Sequence, residues 1–119
     1  MIGAIFNQTV EILRAGTKRS RYSSETVPDW SNPTVIPVDF PVSVQPVGTA
    51  EDGVLRPTVD QSWRMYTPPG TDLDIRASDR VRLGGVLVMA VDGAPARWPD
   101  PNNPGSVHHV EVGLKHVVG

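Results

Sequence analysis

The stretch RVRLGGVLVMAV, residues 80–91, decides the fold class. It contains two runs rich in aliphatic and β-branched residues, which are typical of strands. Gly84 and Gly85 separate the runs and readily adopt the positive φ angles that a tight hairpin turn requires. The stretch therefore predicts a β-hairpin.

The register of this hairpin follows from the length of its turn. With a two-residue turn, Val81 faces Val88 and Leu83 faces Val86, so the two strands share an apolar face. The second strand carries further apolar residues on its other side, which predicts a central strand buried on both faces. These residues are Leu87, Met89 and Val91.

Period-two alternation recurs in several other segments of the chain. We expect strands at residues 9–13, 42–45, 61–67 and 107–118, the first of them ended by Gly16. The last strand should bury one row of aliphatic side chains, and residues 95–105 should form an irregular connection. That row is Val110, Val112, Leu114 and Val118.

Composition supports the same fold class. The 119 residues include 12 prolines and 11 glycines, which long helices do not tolerate. Short, closely spaced strands predict an all-β (mainly β) fold, a small β-barrel or sandwich with long loops. At this length the chain should form one domain, residues 1–119, with a flexible loop at about residues 47–60.

Charge and residue usage exclude several functional classes. The net charge of -2 provides no global positive field for tight nucleic-acid binding. The absence of cysteine excludes disulfides and thiolate chemistry, and is compatible with a reducing cytoplasm. No apolar run reaches the length of a membrane span, and residues 1–6 are too short for a signal peptide, so we expect no membrane association.

We expect no metal site among the histidines. His108 and His109 should point to opposite faces of a strand, and His116 should lie roughly 26 Å further along it. Three aspartates resemble part of a calcium loop, but an arginine stands where another oxygen ligand belongs. These residues are Asp72, Asp74, Asp79 and Arg76.

Enzymatic activity has no positive support in the sequence. Ser78 and Ser106 lack a nucleophile motif, and the paired glycines match no phosphate-binding signature. We therefore expect a protein that is not an enzyme, with no catalytic residues and no cofactor.

Several residues are candidates for binding partners. The one compact basic cluster is Lys18, Arg19 and Arg21, which could be a solvated turn, could pair with a partner's carboxylates, or could bind nucleic acid with Tyr22 stacking on a base. Trp30, Arg80 and Trp98 are candidate subunit or partner contacts, because tryptophan and arginine are enriched at interfaces. Trp63 is more simply explained by core packing.

The C-terminal half of the chain resembles the head-to-tail stopper proteins of long-tailed bacteriophages, especially those that infect actinobacteria. The resemblance is strongest from Trp63 to Gly119, and it is carried by turn and strand motifs. These are DIRASDRV at 74–81, Gly85, VDGAP at 91–95, WPDP at 98–101 and HVEV at 109–112. The chain departs from the family at Val88 and Met89, where members often carry an aromatic residue.

The resemblance implies a small β-barrel in a dodecameric or hexameric ring in the virion neck, assembled in the host cytoplasm. Such a ring closes the DNA channel after packaging, contacts portal and adaptor proteins above and the tail terminator or tail tube below, and lets genomic DNA pass without sequence-specific binding. The loop from Gly48 to Thr58 should face the channel and repel DNA phosphates through Glu51 and Asp52, together with Asp60. Its candidate channel residues are Gly48, Thr49, Ala50, Glu51, Asp52, Gly53 and Arg56.

Two other functions fit the sequence. A tail terminator or another connector-ring protein shares the small size, the ring assembly and the absence of catalysis. A cellular β-barrel module that binds a peptide or an oligonucleotide would instead act as a monomer.

Overall fold

A computed structural model of the chain describes residues 6–47 and 62–117. These residues form strands and loops, with no helix among them. In chain order the strands are β1 (Val10–Arg19), β2 (Thr26–Pro37), β3 (Ser43–Pro46), β4 (Trp63–Tyr66), β5 (Arg80–Leu83), β6 (Leu87–Val91), β7 (Ala96–Pro99) and β8 (Val107–His116). The prediction of an all-β fold is confirmed.

The strands belong to one antiparallel sheet in the order β2-β1-β5-β6-β8-β4-β3, with β7 paired to β8 beside this path. The sequence predicted a small β-barrel or a sandwich, and the sheet is not closed into a barrel. An isolated bridge between Gln8 and Val42 joins the residues that precede β1 and β3. Their reciprocal backbone hydrogen bonds are 2.8 and 3.0 Å long, and they curl the sheet without extending its ladder.

The core lies on one face of the curled sheet. Alternate residues of β1, β5, β6 and β8 point into it, as the strand period requires. Val110, Val112 and Leu114 of β8 are all buried there, as predicted, whereas Val118 lies outside the described residues. The predicted strand at 42–45 also holds, because Val42 and Val44 are both buried.

The hairpin at residues 80–91 forms, but its predicted register is wrong by one residue. The N–H of Val86 donates to the carbonyl of Leu83 across the two glycines, as a tight turn requires. Val86 then stays outside the ladder, 85% exposed, so Leu83 pairs with Leu87 and Val81 with Met89. Because strand side chains alternate, this extra residue places Met89 instead of Val88 against the core. The central position of β6, between β5 and β8, is as predicted.

Two other boundaries differ from expectation. β1 does not end before Gly16 but continues to Arg19. Arg14 pairs with Thr34 and Gly16 with Asp29, so the extra residues at this register shift bulge from β2 and not from β1. Residues 96–99 of the predicted connection form β7, an edge strand that ends at Pro99. Edge strands tolerate proline, because proline can occupy a position whose backbone nitrogen faces away from the ladder and donates no hydrogen bond to it.

A buried ion pair fixes the loop before β5 to β1. Arg14 Nε and Nη2 donate to the two carboxylate oxygens of Asp79 at 3.0 and 2.9 Å. The Asp79 side chain is fully buried, and it also accepts the N–H of Arg76 at 2.9 Å. This bond to Asp79 raises the pKa of Arg14 above its ordinary value. The pair therefore holds together segments that are far apart in sequence.

Gly113 of β8 lies between the part of β8 that pairs with β6 and the part that pairs with β7. The N–H of Asp92 donates to the carbonyl of Gly113 at 2.8 Å. A Cβ atom at position 113 would lie 2.9 Å from the backbone oxygen of Asp92, which is closer than van der Waals contact allows. A residue without a side chain is therefore required at this crossing.

Gly113→Ala should lower the free energy of unfolding by about 2 kcal/mol, because the backbone of Asp92 must shift to admit the methyl group. Gly16→Ala is the matched control. No atom lies within 4 Å of a Cβ at that position, so its effect should stay below about 1 kcal/mol. Urea unfolding measures both variants. Equal stability of the two would contradict the close approach at Gly113.

Asp79→Ala should cost about 3 kcal/mol of stability, because it leaves the Arg14 guanidinium and the Arg76 N–H without their buried acceptor. Asp92→Ala is the matched control, since Asp92 reaches Lys115 only at 3.9 Å and both side chains are more than half exposed. It should cost less than about 1 kcal/mol. Thermal unfolding measures both variants. Equal losses of stability in Asp79→Ala and Asp92→Ala would contradict a stabilising role for the Arg14–Asp79 pair.

Candidate interaction surfaces

The β1–β2 hairpin projects beyond the rest of the sheet. β5 pairs with β1 only over Val10–Leu13, whereas residues 16–19 of β1 pair with residues 26–29 of β2 alone. We call residues 16–29 the arm. The side chains at 16–19 and 21–26 are exposed, and Tyr22 at the tip is 94% exposed. The basic stretch, for which the sequence allowed a solvated turn, thus forms the end of β1 and the turn after it.

We call the described residues outside the arm the body of the sheet. The arm differs from the body in how many of its charged side chains form ion pairs. Most basic side chains of the body lie within 4.0 Å of a carboxylate, and Arg80 stacks on Trp30 instead. Within the described residues, Lys18, Arg19 and Arg21 are not within that distance of any carboxylate. Three neighbouring cations near the tip are therefore available to a partner.

Asp29, at the base of the arm, accepts hydrogen bonds from a residue two positions further along the chain. The hydroxyl and the N–H of Ser31 donate to its Oδ1 at 2.6 and 3.0 Å. The hydroxyl bond and then the N–H bond hold the pKa of Asp29 below its ordinary value, and the positive charge of Lys18 acts in the same direction. Asp29 attracts Lys18 without forming a close ion pair.

A second surface lies on β7 and β8 and contains two adjacent histidines. Trp98 stacks on His109 with ring centroids 6.0 Å apart and an angle of 9° between the planes. His109 Nε2 lies 2.9 Å from Glu111 Oε2, and Arg64 Nε donates to Glu111 Oε1 at 3.4 Å. Nδ1 of His108 and Nδ1 of His109 approach to 2.9 Å. We call Arg64, Trp98, His108, His109 and Glu111 the histidine patch.

The close approach of the two histidine rings corrects the expectation that they point apart. Strand alternation separates the Cβ atoms, but the rings turn back to meet edge to face at 5.1 Å. His116 lies elsewhere, against Trp63, with ring centroids 6.1 Å apart. Trp63 packs partly against the core, as the sequence suggested, although its Nε1 has no hydrogen-bond partner among the described residues.

A shallow pocket of about 310 Å³ adjoins the histidine patch. Phe6, Tyr66 and Pro69 supply much of its apolar wall, and His108 and His109 supply polar edges. The pocket and the arm are far apart, because Phe6 precedes β1 and the arm tip follows it. β1 alone spans about 30 Å at the rise of an extended strand.

The remaining candidate contact residues are engaged within the subunit. The guanidinium carbon of Arg80 lies 4.0 Å from the centroid of the Trp30 ring, in a cation–π contact across the sheet. Both side chains are only partly exposed. Trp98, by contrast, is 48% exposed on the edge strand β7.

The aspartates that resembled a calcium loop all have arginine partners. Asp79 binds Arg14, Asp72 lies 2.5 Å from Arg97, and Asp74 Oδ2 lies 3.6 Å from Arg76. Across residues 6–47 and 62–117, no group of three or more potential ligands is arranged to hold a metal ion. In the same ranges, no helix is long and apolar enough to cross a membrane.

The predicted channel loop, Gly48 to Thr58, lies outside the described residues, as do Glu51, Asp52, Arg56 and Asp60. Its role as a channel-facing element stays a prediction. Val47 and Ser62, on either side of it, share a 2.8 Å backbone hydrogen bond.

No family model matches the chain, and neither the curated proteins nor the solved structures contain a significant match to it.

The histidine patch should hold neutral His108 in its Nδ1–H tautomer. Glu111 can only accept, so His109 donates from Nε2 and leaves its Nδ1 bare, and His108 must supply the proton of the Nδ1 contact. Nitrogen-15 NMR of the neutral imidazole rings measures the tautomers. His116 is the internal control, and an Nε2–H tautomer at His108 would contradict the hydrogen-bond network.

Proposed function

We propose that this chain is a head-to-tail stopper of a tailed bacteriophage. It would be a non-enzymatic virion protein that forms a ring in the neck, closes the DNA channel after packaging and joins the head to the tail. The motifs from Trp63 to Gly119 carry the family resemblance. The all-β fold class supports it, whereas the sheet is not closed into the barrel that the resemblance implies.

The observation that best supports ring assembly is the placement of two unlike surfaces beyond opposite ends of β1. The cationic arm lies at one end, and the pocket beside the histidine patch lies at the other. Subunits that join through unlike surfaces associate head to tail, and this association gives a ring when the rotation closes. A subunit of this shape can contact its neighbours and the proteins above and below through separate surfaces.

The channel function rests on charge. Glu51, Asp52 and Asp60 repeated around a ring would place negative charge beside the DNA path and would repel phosphates. DNA could then leave rapidly when the channel opens. This step depends on the predicted orientation of the loop from Gly48 to Thr58.

Deletion of the gene from the parent phage genome tests the proposal. Without a stopper, heads should package DNA and then lose it, and intact tails should accumulate unattached. A plasmid copy of the wild-type gene should restore full, tailed particles. A copy in which an Asn-Gly turn joins Gly16 to Asp29, which form a hydrogen-bonded pair of the ladder, removes most of the arm. It should not restore these particles although the protein still folds by circular dichroism.

Electron microscopy of the particles separates the alternatives. Full heads with tails of abnormal length would identify a tail terminator instead. Normal infectious particles in the absence of the protein would contradict any role in the neck.

A further inference from the structure

The free edges of the sheet are protected unequally. Unpaired strand edges invite other strands to add, and proline is one of the residues that prevent this. The outer edges of β2, β3 and β7 all carry proline, at Pro28, Pro33, Pro37, Pro46 and Pro99. Among the described strands, the part of β1 beyond its pairing with β5, residues 16–19, is a free edge without proline.

The hydrogen-bond pattern of the arm shows which backbone groups of β1 face outward. The N–H of Ser20 donates to the carbonyl of Glu25 at 2.9 Å. Hydrogen-bonded and non-hydrogen-bonded pairs alternate along an antiparallel ladder, so Thr17–Pro28 and Arg19–Thr26 are non-hydrogen-bonded pairs. The N–H and carbonyl groups of Thr17 and Arg19 therefore point away from β2.

Pro28 has the complementary position on the other edge of the arm. As the partner of Thr17 in a non-hydrogen-bonded pair, its backbone nitrogen faces the outer edge of β2. Proline has no N–H to offer there. One edge of the arm is thus blocked and the other is open.

The charge of the open edge limits what can add to it. Two copies paired through this edge in antiparallel fashion about Lys18 would bring like charges together, which is destabilising. Lys18, Arg19 and Arg21 instead complement a strand that carries carboxylates. We propose that the Gly16–Arg19 edge of β1 binds an extended, acidic segment of another protein by β-strand addition.

This inference rests on the proposed function only in its expectation that the natural partner is a neighbouring neck protein. A short peptide of alternating threonine and glutamate is the probe, titrated into the full chain and followed by amide NMR. The amides of Thr17 and Arg19 should shift and become protected from exchange. A peptide of alternating proline and glutamate, which keeps the charge but cannot form a ladder, should bind at least about tenfold more weakly.

Two pairs of variants separate backbone pairing from charge. Thr17→Pro removes an outward N–H without breaking the β1–β2 ladder, and should weaken binding at least about tenfold, whereas Thr17→Val should not. A triple variant that removes the charges of the arm should also weaken binding about tenfold. It combines Lys18→Gln, Arg19→Gln and Arg21→Gln. The matched control combines Arg76→Gln, Arg97→Gln and Lys115→Gln, which changes the net charge equally and should leave affinity within about twofold.

Several outcomes overturn the proposal. Binding that survives Thr17→Pro but is lost in the arm charge variant, or that duplex DNA displaces, would identify a charge-only or phosphate-binding surface. Equal binding of the threonine–glutamate and proline–glutamate peptides, or no binding of either, would exclude strand addition. Peptide binding by the isolated chain does not require a ring, so a failed gene-deletion test would leave this result standing.

Discussion

The structure depends on the backbone pairing of β8. One side of this strand pairs with β7 and β6 in succession, and the other side pairs with β4. Without β8 the ladder would divide into a β2-β1-β5-β6 half and a β4-β3 half, which the bridge between Gln8 and Val42 would still join. Its buried aliphatic residues also supply the centre of the core, so hydrogen bonding and hydrophobic burial depend on the same segment. The close contact between Gly113 and Asp92 is a consequence of this double pairing.

The sheet body and the arm follow different physical rules. In the body, salt bridges such as Arg82–Glu11 and Arg64–Glu111 lie across neighbouring or nearby strands and leave little uncompensated charge. The arm has no core face, and its three basic side chains form no ion pair within 4.0 Å among the described residues. An isolated two-stranded hairpin is marginally stable in water. This contrast is the reason why the arm is proposed as a contact surface for another molecule.

Much of the fold was predictable from the sequence because strand periodicity is local. The hairpin at residues 80–91, the central position of β6 and the buried row of β8 all follow from alternation. The one-residue error in register arose because two glycines do not determine whether Val86 joins the ladder. The Arg14–Asp79 pair could not be predicted, since it joins residues 65 positions apart through tertiary structure. The contact between His108 and His109 was missed because alternation describes Cβ directions and not ring rotations.

Cryo-electron microscopy of the parent particle would show whether this chain forms part of the neck. We expect a ring of this chain between the portal complex and the tail, with each arm in contact with an extended segment of another neck protein. A neck that lacks this chain, or a chain found only at the tail-tube end, would contradict it.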